Sequence, residues 1–293
     1  MNYPIVQVKT EDGLWLHGLY LPAAKKETVF INIHGTASNF YEEDFIEFMA
    51  ERFVPAGISM LSTNNRGNGT YDAWGKRTGA AVEIFEECLL DIDAWLDYVL
   101  QEGYSKVILS GHSLGTEKVV YYMSMGKYKN KINAVVLLAP ADSARWRYYD
   151  KTYKVPATGE TGREREELQV KIAQEMINQG KGDELMDRTS FAGLMPKTPK
   201  SLLNFRGEGI ELLKALPFHS GKLETYSRIS VPILAVIGDQ HEYTGIPIKD
   251  ALELMKKENP RTEAYQLKDC DHDFENREEE LVELVLNFIK KNA

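Results

Sequence analysis

Val107 to Tyr122 reads VILSGHSLGTEKVVYY. Val107–Leu109 is a short apolar run with the character of a buried strand, whereas Val119, Val120 and Met123 recur at helical spacing. Between them, Gly111-His112-Ser113-Leu114-Gly115 leaves almost no chain for a turn. A serine between two glycines at a strand-to-helix junction has the form of a nucleophile elbow. There the serine backbone is strained, and a side chain at either glycine position would collide with a neighbouring strand or helix. The turn lifts the hydroxyl above the sheet and aims the N–H groups of the following helix at the place where an oxyanion would form. The competing reading is that Ser113 only caps the helix.

Outward from this stretch, short apolar strands alternate with helical patterns. IVQVKTEDGLWLHGLYLP alternates apolar and polar residues around Asp12-Gly13, a hairpin signal. Strands are expected at Thr28–His34, in GISMLST, at Ile132–Pro140, in VPILAVIG and in TEAYQLKDCDH. Helices are expected over Tyr41–Phe53, Val82–Gln101, Ile248–Lys257 and Glu278–Lys290, and a glycine-rich loop runs from Asn64 to Gly79. This alternation predicts an α/β protein with a mostly parallel sheet covered by helices on both faces. It breaks once. Between Asp142 and Arg228 only helical patterns occur, around Glu164–Gln179 and Leu202–Leu216. We read residues 142–228 as a helical cap inserted after the sixth strand, above the carboxyl edge of a core formed by residues 1–141 and 229–293. A separate small domain is the alternative.

Composition narrows the partners. The 293 residues carry a formal charge of -9, which argues against a nucleic-acid footprint and an anionic membrane surface. No apolar run reaches the length of a membrane span, and MNYPIVQVKTEDG has no basic region followed by an apolar stretch, so a cytoplasmic location is expected. Only Cys88 and Cys270 are present, too few for a disulfide framework or a zinc cluster. Neither a metal nor a cofactor is expected, and oligomeric state is left open.

A nucleophilic serine needs a base. Of six histidines, His272 in LKDCDHDF follows the last expected strand and precedes the last helix, the place of the base in this architecture. His112 lies inside the elbow, where it supports packing of the turn, and His219 lies in the expected cap. Oxyanion donors are expected from the N–H of Leu114 and from the N–H of Thr36 in INIHGTASNF, with His34 as a structural loop residue.

Over nearly its whole length the chain resembles the α/β-hydrolase superfamily. The residues that carry the resemblance are Gly111-His112-Ser113-Leu114-Gly115, His34-Gly35, the loop Asn65-Arg66-Gly67 and His272. HGTASNFYE, NNRGNG, FEECLLDI and LLAPADS make it similar to fungal siderophore esterases and their bacterial relatives. The resemblance implies an eight-stranded sheet and hydrolysis of an ester or amide without a cofactor. It also implies a triad acid three residues past Gly238, where this chain has His241. An imidazole cannot supply the carboxylate's negative charge. Asp239 and Glu242 are the nearby candidates, with a lean to Glu242, and Asp142 is a more distant third.

Trp146, Tyr148, Tyr149 and Tyr153 could wall a pocket with Arg145 and Arg147 meeting an anionic group, or could anchor the cap. The expected function is a serine hydrolase acting on a carboxylic ester, with thioester or amide substrates open. The alternative is a non-hydrolytic small-molecule binder, acyltransferase or lyase with a modified triad.

Overall fold

Alternating apolar side chains along short strands decide the layering of this protein. The computed structural model describes residues 4–74, 77–155, 158–186 and 195–292. Strands β1 (Ile5–Lys9), β2 (Trp15–Leu21), β3 (Thr28–Ile33), β4 (Ile58–Thr63), β5 (Lys106–His112), β6 (Ile132–Leu138), β7 (Ile233–Ile237) and β8 (Thr262–Gln266) form one sheet. Their spatial order is β1-β2-β4-β3-β5-β6-β7-β8. Only β2 runs antiparallel to its neighbours, and the remaining pairs are parallel. The hairpin at Asp12-Gly13 forms as expected, with Gly13 at φ 88°.

The helices are α1 (Phe45–Phe53), α2 (Cys88–Gln101), α3 (Leu114–Met125), α4 (Trp146–Tyr149), α5 (Gly162–Asn178), α6 (Pro199–Arg206), α7 (Glu224–Ser227), α8 (Ile248–Glu258) and α9 (Glu278–Asn292). Because successive strand residues face opposite ways, the central strands serve two apolar layers. Val29, Ile31, Ile33, Val107, Leu109, Val135 and Leu137 pack in one cluster with α2, α3 and α8. Phe30, Ile108, Ala134, Val136 and Leu138 pack in the other with α1 and α9. The chain has the α/β-hydrolase fold. Among the described residues, no helix is long and apolar enough to cross a membrane.

Between β6 and β7 lie α4 to α7, with no strand among the described residues. A capping box of Thr161 and Glu164 starts α5. Ala173 of α5, Leu202 of α6 and Met186 form a small apolar cluster of their own. From Phe205 onward the insertion changes character: Phe205, Leu216, Phe218, Tyr226 and Ile229 join the main core on the α2 and α3 face. The helix expected over Leu202–Leu216 stops at Arg206, because Gly207-Glu208-Gly209 interrupts it and Gly209 takes φ 69°. Residues 156–157 and 187–194 of the expected cap, and Gly75 and Lys76 of the Asn64–Gly79 loop, lie outside the described residues.

Candidate active site

β5 delivers Ser113 to the carboxyl edge of the sheet, where α3 begins. Ser113 adopts φ 54° and ψ -124°, outside the basins an L-residue ordinarily occupies. The surroundings enforce that geometry. A Cβ at Gly111 would lie 2.2 Å from the carbonyl oxygen of Gly115, and one at Gly115 would lie 2.1 Å from that of Ile33. The Ser113 N–H donates to Leu138 O at 3.0 Å, so β6 anchors the turn from the other side. The Ser113 side chain makes no N-cap hydrogen bond.

Ile33 of β3 is in register with Gly111 of β5, so the loop after β3 leaves the sheet beside the elbow. Gly35 lets the two chains touch: a Cβ there would meet Ser113 Cβ at 2.8 Å. Thr36 follows and lines the same cavity as Ser113. The N–H groups of Thr36 and Leu114 enter no hydrogen bond among the described residues. His34 secures this loop from below. Its Nδ1–H donates to Gly35 O at 2.7 Å, and its Nε2 accepts from the Asn65 N–H at 2.9 Å. Burial, assisted by the nearby Lys118 charge, lowers the His34 pKa to about 3, so the ring is neutral. Next to Asn65, the Arg66 guanidinium holds the buried Asp91 carboxylate through Nη2 at 2.8 Å and Nε at 3.0 Å.

His272 lies in the loop between β8 and α9, 9% exposed. Its Nδ1–H donates to Glu242 Oε2 at 2.8 Å, and the Glu242 side chain is wholly shielded from solvent. The second oxygen of Glu242 accepts from the Gly238 N–H at 2.9 Å. With its proton on Nδ1, the ring keeps a lone pair at Nε2; that atom is buried without a hydrogen-bond partner, and His272 lines the same cavity as Ser113. His241 takes φ 57°, a left-handed turn that reverses the chain and lets the next residue reach back under the imidazole.

The other two candidate acids are engaged elsewhere. Asp239 Oδ1 accepts from the Cys270 N–H at 3.1 Å, and backbone hydrogen bonds of this kind hold its carboxyl below the usual range. It clamps the loop that carries His272 without touching the imidazole. Asp142 Oδ2 lies 2.5 Å from Nδ1 of His219, and Tyr149 stacks on that ring at 4.7 Å. A second histidine–carboxylate pair thus ties the insertion to the end of β6.

Ser113, His272 and Glu242 meet in a cavity of about 560 Å³, large enough for a small-molecule ligand. From the insertion, Ser143, Trp146, Arg147, Asp150, Tyr153 and Met195 line it. Tyr243 packs against both Trp146 and His272, at 4.7 and 4.5 Å. Of the aromatic and basic residues expected to wall a pocket, Trp146, Tyr153 and Arg147 do so, whereas Tyr148, Tyr149 and Arg145 do not. Arg145 is buried and bound to Glu166 Oε1 at 3.0 Å and to the carbonyls of Arg206 and Gly207. It is a strut within the insertion. Glu43, Tyr243 and Asp273 also face the cavity. They arrive from three separate loops, and no spacing in the sequence marks them.

The chain matches the model of a family described as serine aminopeptidase, S33, over residues 24–190. A search of curated proteins returned no match. Among solved structures, Est1E from Butyrivibrio proteoclasticus with bound ferulic acid is 17% identical over 98% of each chain, with a TM-score of 0.68. The α/β hydrolase GrgF from Penicillium sp. sh18 is 15% identical over 98% of each chain, at a TM-score of 0.69. An esterase from Pyrococcus furiosus is 17% identical over 99% of this chain and 91% of its own, at 0.63. At these identities the likeness is one of fold.

Proposed function

Since the chain belongs to the serine aminopeptidase S33 family, we propose that it is a serine hydrolase cleaving a carboxylic ester through an acyl-enzyme. One observation carries this reading: Glu242 fixes His272, whose Nε2 has no hydrogen-bond partner, at the wall of the cavity that holds the strained Ser113. In the proposed reaction, Ser113 Oγ attacks the ester carbonyl while His272 Nε2 takes its proton. The Thr36 and Leu114 N–H groups donate to the oxyanion, and the Glu242 carboxylate offsets the imidazolium charge. His272 then protonates the departing alcohol. Water, deprotonated by His272, attacks the acyl-enzyme, and the acid leaves as Ser113 recovers its proton. No step calls for a metal or cofactor. Of the expected cap, the part before Phe205, which supplies Ser143, Trp146, Arg147, Asp150 and Tyr153 to the cavity, acts as the lid of this site, and the substrate is a small molecule.

The test combines a fluorophosphonate probe, read by intact-protein mass, with p-nitrophenyl esters from acetate to octanoate and aminoacyl p-nitroanilides. Labelling of Ser113, ester turnover above anilide turnover, and loss of both in Ser113→Ala are expected, the residual rate falling by several orders of magnitude. Anilide turnover above ester turnover would replace the ester by an amide. Folded wild-type protein that neither labels nor turns over any of these substrates would point to a non-hydrolytic binder.

A further inference from the structure

His112 precedes Ser113 in the chain and is 2% exposed. Its Nε2–H donates to the main-chain carbonyl of His272 at 2.9 Å. The two imidazoles lie 5.0 Å apart, and the His112 ring packs on Phe45 and Phe274 at 5.3 and 6.1 Å. A carbonyl only accepts, so the His112 proton resides on Nε2. Nδ1 has no hydrogen-bond partner, and the nearest oxygen of Glu43 is 4.0 Å away. Burial and the neighbouring His272 lower the His112 pKa and keep the ring neutral.

The loop that carries His272 is strained. Asp269, Phe274 and Asn276 take φ values of 50°, 62° and 61° without being glycine. Such backbone persists only where contacts hold it. Asp239 grips this loop at Cys270, and Glu242 sets the rotation and tautomer of the imidazole. Neither of them holds the main chain of His272 itself. The bond from His112 does, and it comes from the residue joined covalently to Ser113.

We infer that His112 is a positioning residue that ties the main chain of the base to the nucleophile elbow, so that Ser113 and His272 keep one mutual geometry. The inference rests on the reading of these two as nucleophile and base. An apolar residue of similar size would fill the same space, but only a donor holds the carbonyl.

Two variants separate these roles. His112→Leu fills the site without a donor, whereas His112→Gln places an amide N–H the same number of bonds from Cβ. With p-nitrophenyl butyrate, His112→Leu is expected to lower kcat by about 10- to 100-fold with KM changed less than about threefold, since misplacing reacting groups by an ångström can cost that much. His112→Gln is expected to recover most of that loss at an equal melting temperature. A leucine variant within twofold of wild-type kcat, or a glutamine variant as slow as an equally stable leucine variant, would overturn the inference. If the leucine variant does not fold, His112→Gln is compared with His112→Asn, whose amide is too short to reach. A tenfold advantage for glutamine supports the tie, and equal rates refute it. Ser113→Ala, run alongside, keeps the two readings apart: wild-type turnover in that variant removes the hydrolase reading itself.

Discussion

Glu242 holds His272 with one carboxylate oxygen, 2.8 Å from Nδ1, while its other oxygen is pinned by the N–H of Gly238. The carboxylate is therefore held through both of its oxygens. Asp239, exposed and bonded to Cys270, has no such relationship to the imidazole. Glu242→Gln is expected to lower kcat about 10³-fold or more with little change in KM, because an amide cannot stabilise the imidazolium and favours the wrong tautomer. Asp239→Asn should stay within a few-fold of wild type and lower the melting temperature modestly. Steady-state kinetics on both variants checks this, and a reversed order of effects would reassign the acid.

The elbow should tolerate no extra methyl group. Gly115→Ala would place Cβ 2.1 Å from Ile33 O and 3.0 Å from His34 O. Both are backbone atoms at the end of a central strand, so the strain cannot be relieved by a rotamer change. A loss of about 3 kcal/mol in unfolding free energy, or failure to fold, is expected. Urea denaturation reads it directly, and a wild-type midpoint would contradict the packing described here.

Removing one member of a buried ion pair is worse than neutralising both. The Arg66 side chain is 6% exposed and that of Asp91 is 0% exposed. Burial pushes the Asp91 carboxyl up, and the guanidinium opposes that push. Arg66→Met leaves a buried carboxylate without its cation and is expected to cost about 3–5 kcal/mol. The double variant Arg66→Met with Asp91→Asn should recover part of that loss. A double-mutant cycle by chemical denaturation measures the coupling.

Acid should weaken the fold through His34. Its folded pKa of about 3 lies below the ordinary imidazole value of 6.5, so the unfolded chain binds the extra proton first as pH falls. The stability is fully present above 6.5 and is lost as pH descends toward 3. At about 1.4 kcal/mol per pH unit, the loss between pH 6.5 and 5 is roughly 2 kcal/mol. His112, also lowered by burial, acts in the same direction. Denaturation at pH 7 and pH 5 tests this, and His34→Gln should show a shallower dependence than wild type.

Local chain chemistry alone determined the elbow and the layering. The signature of the elbow lies within five consecutive residues, so Gly111 and Gly115 mark it in the sequence, although the atom that Gly115 must avoid, Ile33 O, comes from β3. Alternation along Val29–Ile33 and Val107–Leu109 likewise states which side chains face which layer, because strand geometry has a fixed period. The site beyond the elbow was another matter. Asp239, Glu242 and Asp142 are equivalent as carboxylates. Only the left-handed turn at His241, the clamp of Asp239 on Cys270 and the pairing of Asp142 with His219 leave Glu242 under the imidazole. The tie from His112 to His272 spans 160 positions and is invisible to spacing. The insertion divides for the same reason. Its helical periodicity is local, but the departure of Phe205–Ile229 into the main core depends on apolar surface that α2, α3 and the sheet supply together. A side chain's partner across the molecule is set by how the whole chain closes its core, and that closure is encoded in no single stretch.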